Sequence, residues 1–192
     1  MKSLSFLLLF FSLSAFSQSL ESLKPIAKKL YDANYLMSFD DVITYTYPKY
    51  VENQTKEALL EKLDLDYQND EFRMRLQLVT PVFTYGEIKQ IGGVSFCVIT
   101  FKNPVRYFYE NKVTGEKIAE ATDFLKRKDK TQDVTFEPKR NSFNVRKTST
   151  YLAIADASTD NKWKILNFDD ATQYEFFEKN FDEKIKSELN LK

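Results

Sequence analysis

The chain has 192 residues, with 28 basic and 28 acidic side chains, no histidine and one cysteine. Balanced charge removes the electrostatic footprint of a nucleic-acid binder. The lack of imidazole excludes Ser-His-Asp and Cys-His catalysis, His-based zinc sites and a histidine pH switch, and the lone Cys97 excludes an internal disulfide.

The first residues read as an export leader. Lys2 supplies a positive n-region, Leu4 to Leu13 a mostly apolar run, and Ser14-Ala-Phe-Ser17 a small-residue cleavage site before Gln18. The apolar run is far shorter than the ~20 residues of a membrane span. Residues 1–17 are therefore expected to be a signal peptide, and residues 18–192 one domain, secreted or periplasmic and free of the membrane after cleavage. A domain of this size buries about 70% of the surface of its unfolded chain, so its core needs no covalent staples.

Leu20 to Met37 follows the spacing of an amphipathic helix, with Leu20, Leu23, Ile26, Ala27, Leu30, Tyr31 and Met37 on one face and Asn34 as the exception. Pro25 places the start of its regular part nearby. Ser38-Phe-Asp-Asp41 has the pattern of a capping box and opens a short second helix through Val42, Ile43 and Tyr45, which Pro48 ends. Thr55-Lys-Glu-Ala58 begins another helix, with Leu59, Leu60, Leu63 and Tyr67 in a stripe. Asn53-Gln-Thr55 matches a glycosylation sequon, but a turn before a helix accounts for it equally well.

Strand formers follow. Met74 to Gln90, broken by Pro81 and Gly86, is expected at a sheet edge with a bend. After the Gly92-Gly93 turn, Val94 to Phe101 reads as a strand buried on both faces, and within it Cys97 is a small hydrophobe, not a nucleophile. Asn103-Pro104 is expected to interrupt it before Val105 to Glu110 resumes, with Tyr107 and Tyr109 on one face. Asn111 to Gly115 forms a turn, Ala119 to Lys128 a surface helix, and Arg127 to Asp133 a charged loop. Lys126-Arg-Lys128 and Lys139-Arg140 are read as solvated. Asp133 to Phe136 and Ser142 to Val145 are strand pieces around Pro138.

Thr148 to Asp156, the turn Ala157 to Asn161 and Lys162 to Phe168 form a β-hairpin. Period-2 alternation puts Leu152 and Ile154 on one face of its first strand and Tyr151, Ala153 and Ala155 on the other, which marks a central strand covered on both sides. The turn Asp156 to Asn161 mimics the start of a calcium loop but lacks Gly at the sixth position and an acid at the twelfth, so it reads as a plain turn. The acids of Asp64 to Asp70 read as a solvated helix end. Thr172-Gln-Tyr-Glu175 caps a C-terminal amphipathic helix with Tyr174, Phe177, Phe181, Ile185 and Leu189 in a stripe.

This order predicts an α+β fold, with N-terminal helices, an antiparallel sheet and a C-terminal helix. Three stretches carry a resemblance: Phe39 to Tyr50, Thr55 to Lys62, and Tyr151-Leu-Ala-Ile-Ala155 through Trp163-Lys-Ile-Leu-Asn167. In them the chain resembles small secreted bacterial proteins of the nuclear transport factor 2-like superfamily, with its cystatin-like, ketosteroid isomerase-like cone. The resemblance implies a strongly curved antiparallel sheet wrapped around helices, often with a pocket between them.

Candidate pocket residues are Tyr85, Tyr107, Tyr109 and Tyr151, whose phenols need partners when buried, together with Glu87; Glu110 is a further acid beside these strands. A Tyr and a carboxylate together can also build an oxyanion-type site. The expected function is non-enzymatic binding of a small apolar ligand or a protein partner, without metal or cofactor. The alternatives are a cofactor-free isomerase or hydrolase using Tyr and a carboxylate, and an interaction protein pairing, as in a homodimer, through its sheet face.

Overall fold

The computed structural model describes residues 18–191, so the leader expected over residues 1–17 lies outside the described residues. Two long strands organise the chain. β4 (Val94–Tyr109) and β6 (Ser142–Ala155) run antiparallel, in register from Ser95 opposite Ala155 to Phe108 opposite Ser142. Along the free edge of β4 lie β1 (Phe72–Leu76), β2 (Thr84–Tyr85) and β3 (Lys89–Ile91), and along the free edge of β6 lie β5 (Val134–Glu137) and β7 (Lys164–Asn167). Among the described residues this is a seven-stranded, open antiparallel sheet with seven α-helices, an α+β fold.

The expected hairpin is present, with Leu152 opposite Leu166 and Ile154 opposite Lys164. Its strand parity divides the core as alternation requires. Tyr151, Ala153 and Ala155 join Cys97, Ile99 and Phe101 beneath α1 (Leu20–Leu36), while Leu152, Ile154, Phe96 and Leu166 pack against Tyr47, Tyr50 and Phe177 on the other face. Burying one such large apolar side chain is worth about 1.5–3 kcal/mol, so a strand covered on both faces anchors the fold. Trp163 completes the α1 side and donates its indole N–H to Ser22 Oγ at 3.1 Å.

Several boundaries differ from expectation. α1 starts at Leu20, before Pro25, because Ser19 caps it by accepting from Ser22 N, and the bond that proline forfeits lies at the exposed end of a helix held by Leu23, Ala27 and Leu30. Ser38 makes no backbone cap for α2 (Phe39–Tyr45); its hydroxyl donates instead to Asp41 Oδ2 at 2.7 Å. Pro48 occupies the first position of the one-turn α3 (Pro48–Val51), where a missing N–H costs nothing. Thr55 caps α4 (Lys56–Tyr67) as its motif predicts. The bent edge segment is three short strands, and Gly92-Gly93 forms a two-residue turn with both φ angles positive between Ile91 and its partner Val94.

β4 does not break at Asn103-Pro104. In an antiparallel ladder a residue's N–H and C=O point to the same neighbour. The Pro104 carbonyl accepts from Gln77 N at 2.9 Å, so its missing N–H faces the β1 edge, just where that strand ends at Leu76 opposite Val105. The helix expected from Ala119 is α5 (Glu116–Lys128), and it is no mere surface element, since Leu125 is fully buried against Val105, Tyr107, Phe143 and Val145. The C-terminal stripe is split into α6 (Ala171–Asn180) and α7 (Glu183–Glu188). Phe181 is extended between them, and Asp182 caps the second by accepting from Ile185 N. Phe177, Phe181, Ile185 and Leu189 still share one cluster.

Candidate functional site

The β4–β6 face that carries Cys97 to Phe101 under α1, and Val105 and Tyr107 under α5, is interrupted by polar residues at inward-facing positions. Asn103, Lys147 and Ser149 share the parity of those apolar neighbours, and register sets Asn103 opposite Lys147 and Phe101 opposite Ser149. Here a cavity of about 340 Å³ opens between the sheet, α1, α4 and the start of α6. Leu30, Leu63, Met74 and Val105 give it apolar walls, and the hydroxyl-bearing rings of Tyr67, Tyr107 and Tyr151 also line it.

The polar residues form one continuous chain. Asn103 Nδ2 donates to Ser149 Oγ at 2.9 Å, and Ser149 Oγ donates to Asp169 Oδ2 at 2.5 Å, a charge-assisted contact. Lys147 Nζ lies 3.1 Å from Asp169 Oδ2 and 2.7 Å from Asp129 Oδ1, with the Lys147 and Asp129 side chains only 9% and 3% exposed. Tyr107 closes the row by donating to Asp129 Oδ2 at 2.8 Å. A second lysine between two acids stands across the cavity, where Lys62 Nζ meets Asp66 Oδ2 at 2.7 Å and Asp170 Oδ2 at 2.9 Å. Asp169 and Asp170 are adjacent in sequence, and Asp170 also caps α6 by accepting from Thr172 N. Asn34, the exception in the α1 stripe, accepts from Tyr67 OH at 3.0 Å.

Burial lowers the tendency of Lys147 to hold its proton, but Asp169 and Asp129 outweigh it and its pKa rises. Lys62 follows the same pattern, with Asp170 as the main counterweight. Burial pushes the Asp170 carboxyl up, yet Lys62 and the bonds from Thr172 and Gln173 bring it below the ordinary value. Burial and the nearby carboxylates raise the phenols of Tyr67, Tyr107 and Tyr151, so all three are protonated near neutrality.

Of the five residues expected to form a pocket, Tyr107 and Tyr151 line this cavity. Tyr109 packs between Phe72 and Phe143, its buried hydroxyl without a partner among the described residues, and burial followed by Glu71 pushes it up to about 12. Tyr85 sits on β2 opposite Ile99, stacked near Phe83. Glu87 is exposed, and Glu110 pairs with Arg73 at 2.7 Å. The acids lining the cavity are instead Asp129, expected in a solvated loop, Asp66, expected on a solvated helix end, and Asp169 and Asp170, ahead of α6.

Two signals pointed to them. Asn34, Asn103, Lys147 and Ser149 are polar residues at positions whose neighbours in the pattern are buried, and Asp129 follows the last turn of α5, where a carboxylate opposes the helix dipole unless another charge answers it. The calcium-like turn uses its acid internally, for Asp156 accepts from Tyr47 OH at 2.7 Å, Lys49 Nζ at 3.1 Å and Ser158 N at 2.9 Å. Burial pushes the Cys97 thiol up to about 11, far from a thiolate at neutral pH. No cluster of three His, Cys, Asp or Glu suited to a metal ion occurs among the described residues. None of their helices is long and apolar enough to cross a membrane.

Both Asp129 oxygens are engaged by donors, the Ser149 proton is committed to Asp169, and the lysines are ammonium ions. Comparison with models of known protein families, with curated proteins and with solved structures returns no match to this chain.

Proposed function

We propose that the chain is a non-enzymatic binding protein whose site is the cavity between the β4–β6 face, α1 and α4, and that its ligand is a small molecule. The carrying observation is the polar chain from Asn103 to Tyr107, set into an apolar-walled hollow of a size ordinary for small-ligand sites. This lining favours an amphipathic ligand over the wholly apolar one expected from sequence. The cone-type, nuclear transport factor 2-like reading draws on α1 packed over one face of an antiparallel sheet with a hollow beside it, while α3 and α6 cover the other face. Export, from the leader pattern of residues 1–17, is the proposed setting. Catalysis by a Tyr and a carboxylate is the weaker reading, because the Tyr107 hydroxyl is already committed to Asp129, whose other oxygen is held by Lys147.

Native mass spectrometry of the protein purified from its own host tests the proposal. A retained small molecule is expected, released on denaturation and absent from the Leu76→Trp variant, which fills the cavity from β1. Purification of the unaltered protein with no added mass, or equal retention by Leu76→Trp, would overturn it.

A further inference from the structure

Three polar atoms at the β6–β7 end of the cavity have no hydrogen-bond partner among the described residues. Tyr151 OH is one; unlike the sealed Tyr109 OH it retains accessible surface, although Tyr151 is only 3% exposed and lines the cavity. Asn167 stands directly opposite Tyr151 in the strand pair, and such partners hold their Cβ atoms about 4.5–5.5 Å apart. Its Oδ1 accepts from Asp169 N at 3.0 Å, which orients the amide and leaves an NH₂ that is likewise unpartnered and unsealed. Asp169 receives both Ser149 and Lys147 on Oδ2, so Oδ1 has no partner, on a side chain 20% exposed. Ser149, which holds that carboxylate, precedes Tyr151 by two residues on the same face, about 7 Å along the strand. The other unpartnered polar atoms of the lining are closed or set apart: Asn103 Oδ1 is sealed, and Asp66 Oδ1 and Lys128 Nζ belong to α4 and α5.

These three atoms ask for a mixed partner. Burial, with Asp169 next, raises the Tyr151 pKa, so the phenol is a donor near neutrality. The phenol and the amide need lone pairs, while the carboxylate oxygen needs a proton. An ammonium ion has no lone pair to offer; a carboxylate has no proton and brings a second negative charge beside Asp169. A hydroxyl group supplies both and enters without the cost of desolvating an ion. Resting on the small-ligand reading above, we infer that the cavity takes an uncharged diol with an apolar body, whose hydroxyls donate to Asp169 Oδ1 and accept from Tyr151 OH and the Asn167 NH₂.

Three probes of similar skeleton test the inference: 1-phenyl-1,2-ethanediol, phenethylamine and phenylacetate, titrated into the unaltered protein near neutral pH and followed by calorimetry and by the Asn167 side-chain amide signal in NMR. The diol is expected to bind about tenfold tighter than either charged probe, and it alone to move the Asn167 signal. Tyr151→Phe removes a hydroxyl that bonds no described residue, so its resistance to urea is expected to stay unchanged while its affinity for the diol falls about fivefold, the worth of one hydrogen bond. If that variant does not fold, the Asn167 signal of the unaltered protein decides. A charged probe bound as tightly as the diol, diol binding that leaves the Asn167 signal unmoved, or full diol affinity in Tyr151→Phe would refute the diol assignment and leave the cavity reading standing. Binding by none of the three would refute the assignment as well, and the retained mass sought by native mass spectrometry would then judge the cavity on its own.

Discussion

Replacing Lys147 by Met removes, among the described residues, the one ammonium in contact with Asp129, leaving that carboxylate bonded to Tyr107, with the Asp169 carboxylate beside it. Breaking a buried pair from one side costs about 3–5 kcal/mol. An independent figure agrees. The two carboxylate oxygens are at most about 5.8 Å apart, the two lysine contacts laid end to end, and like charges at that separation repel by about 3 kcal/mol at an effective dielectric of about 20. Both figures describe one loss, so Lys147→Met is expected to lower the unfolding free energy by about 3–5 kcal/mol at pH 7, measured by urea titration.

The loss is set by the charge of Asp129 left without its ammonium partner. The double variant Lys147→Met/Asp129→Asn should recover more than half of it at neutral pH, since Asn still accepts from Tyr107 without the charge. A deficit under about 1 kcal/mol, as for a surface pair, would refute the description of a buried countercharge.

Leu125→Ala should cost about 2–5 kcal/mol in the same titration, because Leu125 is fully buried between α5 and the sheet; a loss below about 1 kcal/mol would return α5 to the surface role expected from sequence. Asp170→Asn should destabilise the protein at neutral pH by an amount that shrinks in acid. The native Asp170 carboxyl is held below its ordinary value, so its contribution is present above the ordinary carboxylate pKa and lost as pH falls through the depressed one; parallel stability curves for the two proteins between about pH 7 and about pH 3 would contradict this.

Elements defined by local periodicity were legible in the sequence. The two-faced strand at Tyr151 to Ala155, its return through Ile165 and Leu166, and the Thr55-capped helix all follow from alternation and capping chemistry. Pro104 and the Phe181 break were not, because each depends on a partner remote in sequence or on which of two competing caps prevails. Pro104 is tolerated only because Gln77 sits at the end of β1, and Asp182 captures Ile185 N where the Thr172 motif alone predicts an unbroken helix. The site was half legible. Tyr107 and Tyr151 were found as phenols on strands, whereas Asp129 and Asp169 come from loops whose acids look solvated until tertiary structure brings Lys147 between them. The polar exceptions inside apolar patterns, Asn34 and Asn103 above all, were the better guide.

The neighbouring aspartates before α6 answer two lysines on different layers, Lys147 on the sheet and Lys62 on a helix. This dipeptide is a clasp whose two prongs share one backbone link. Its spacing is consequently fixed: adding or deleting a single residue there would swing one prong away and force the molecule to choose which lysine keeps its counterion.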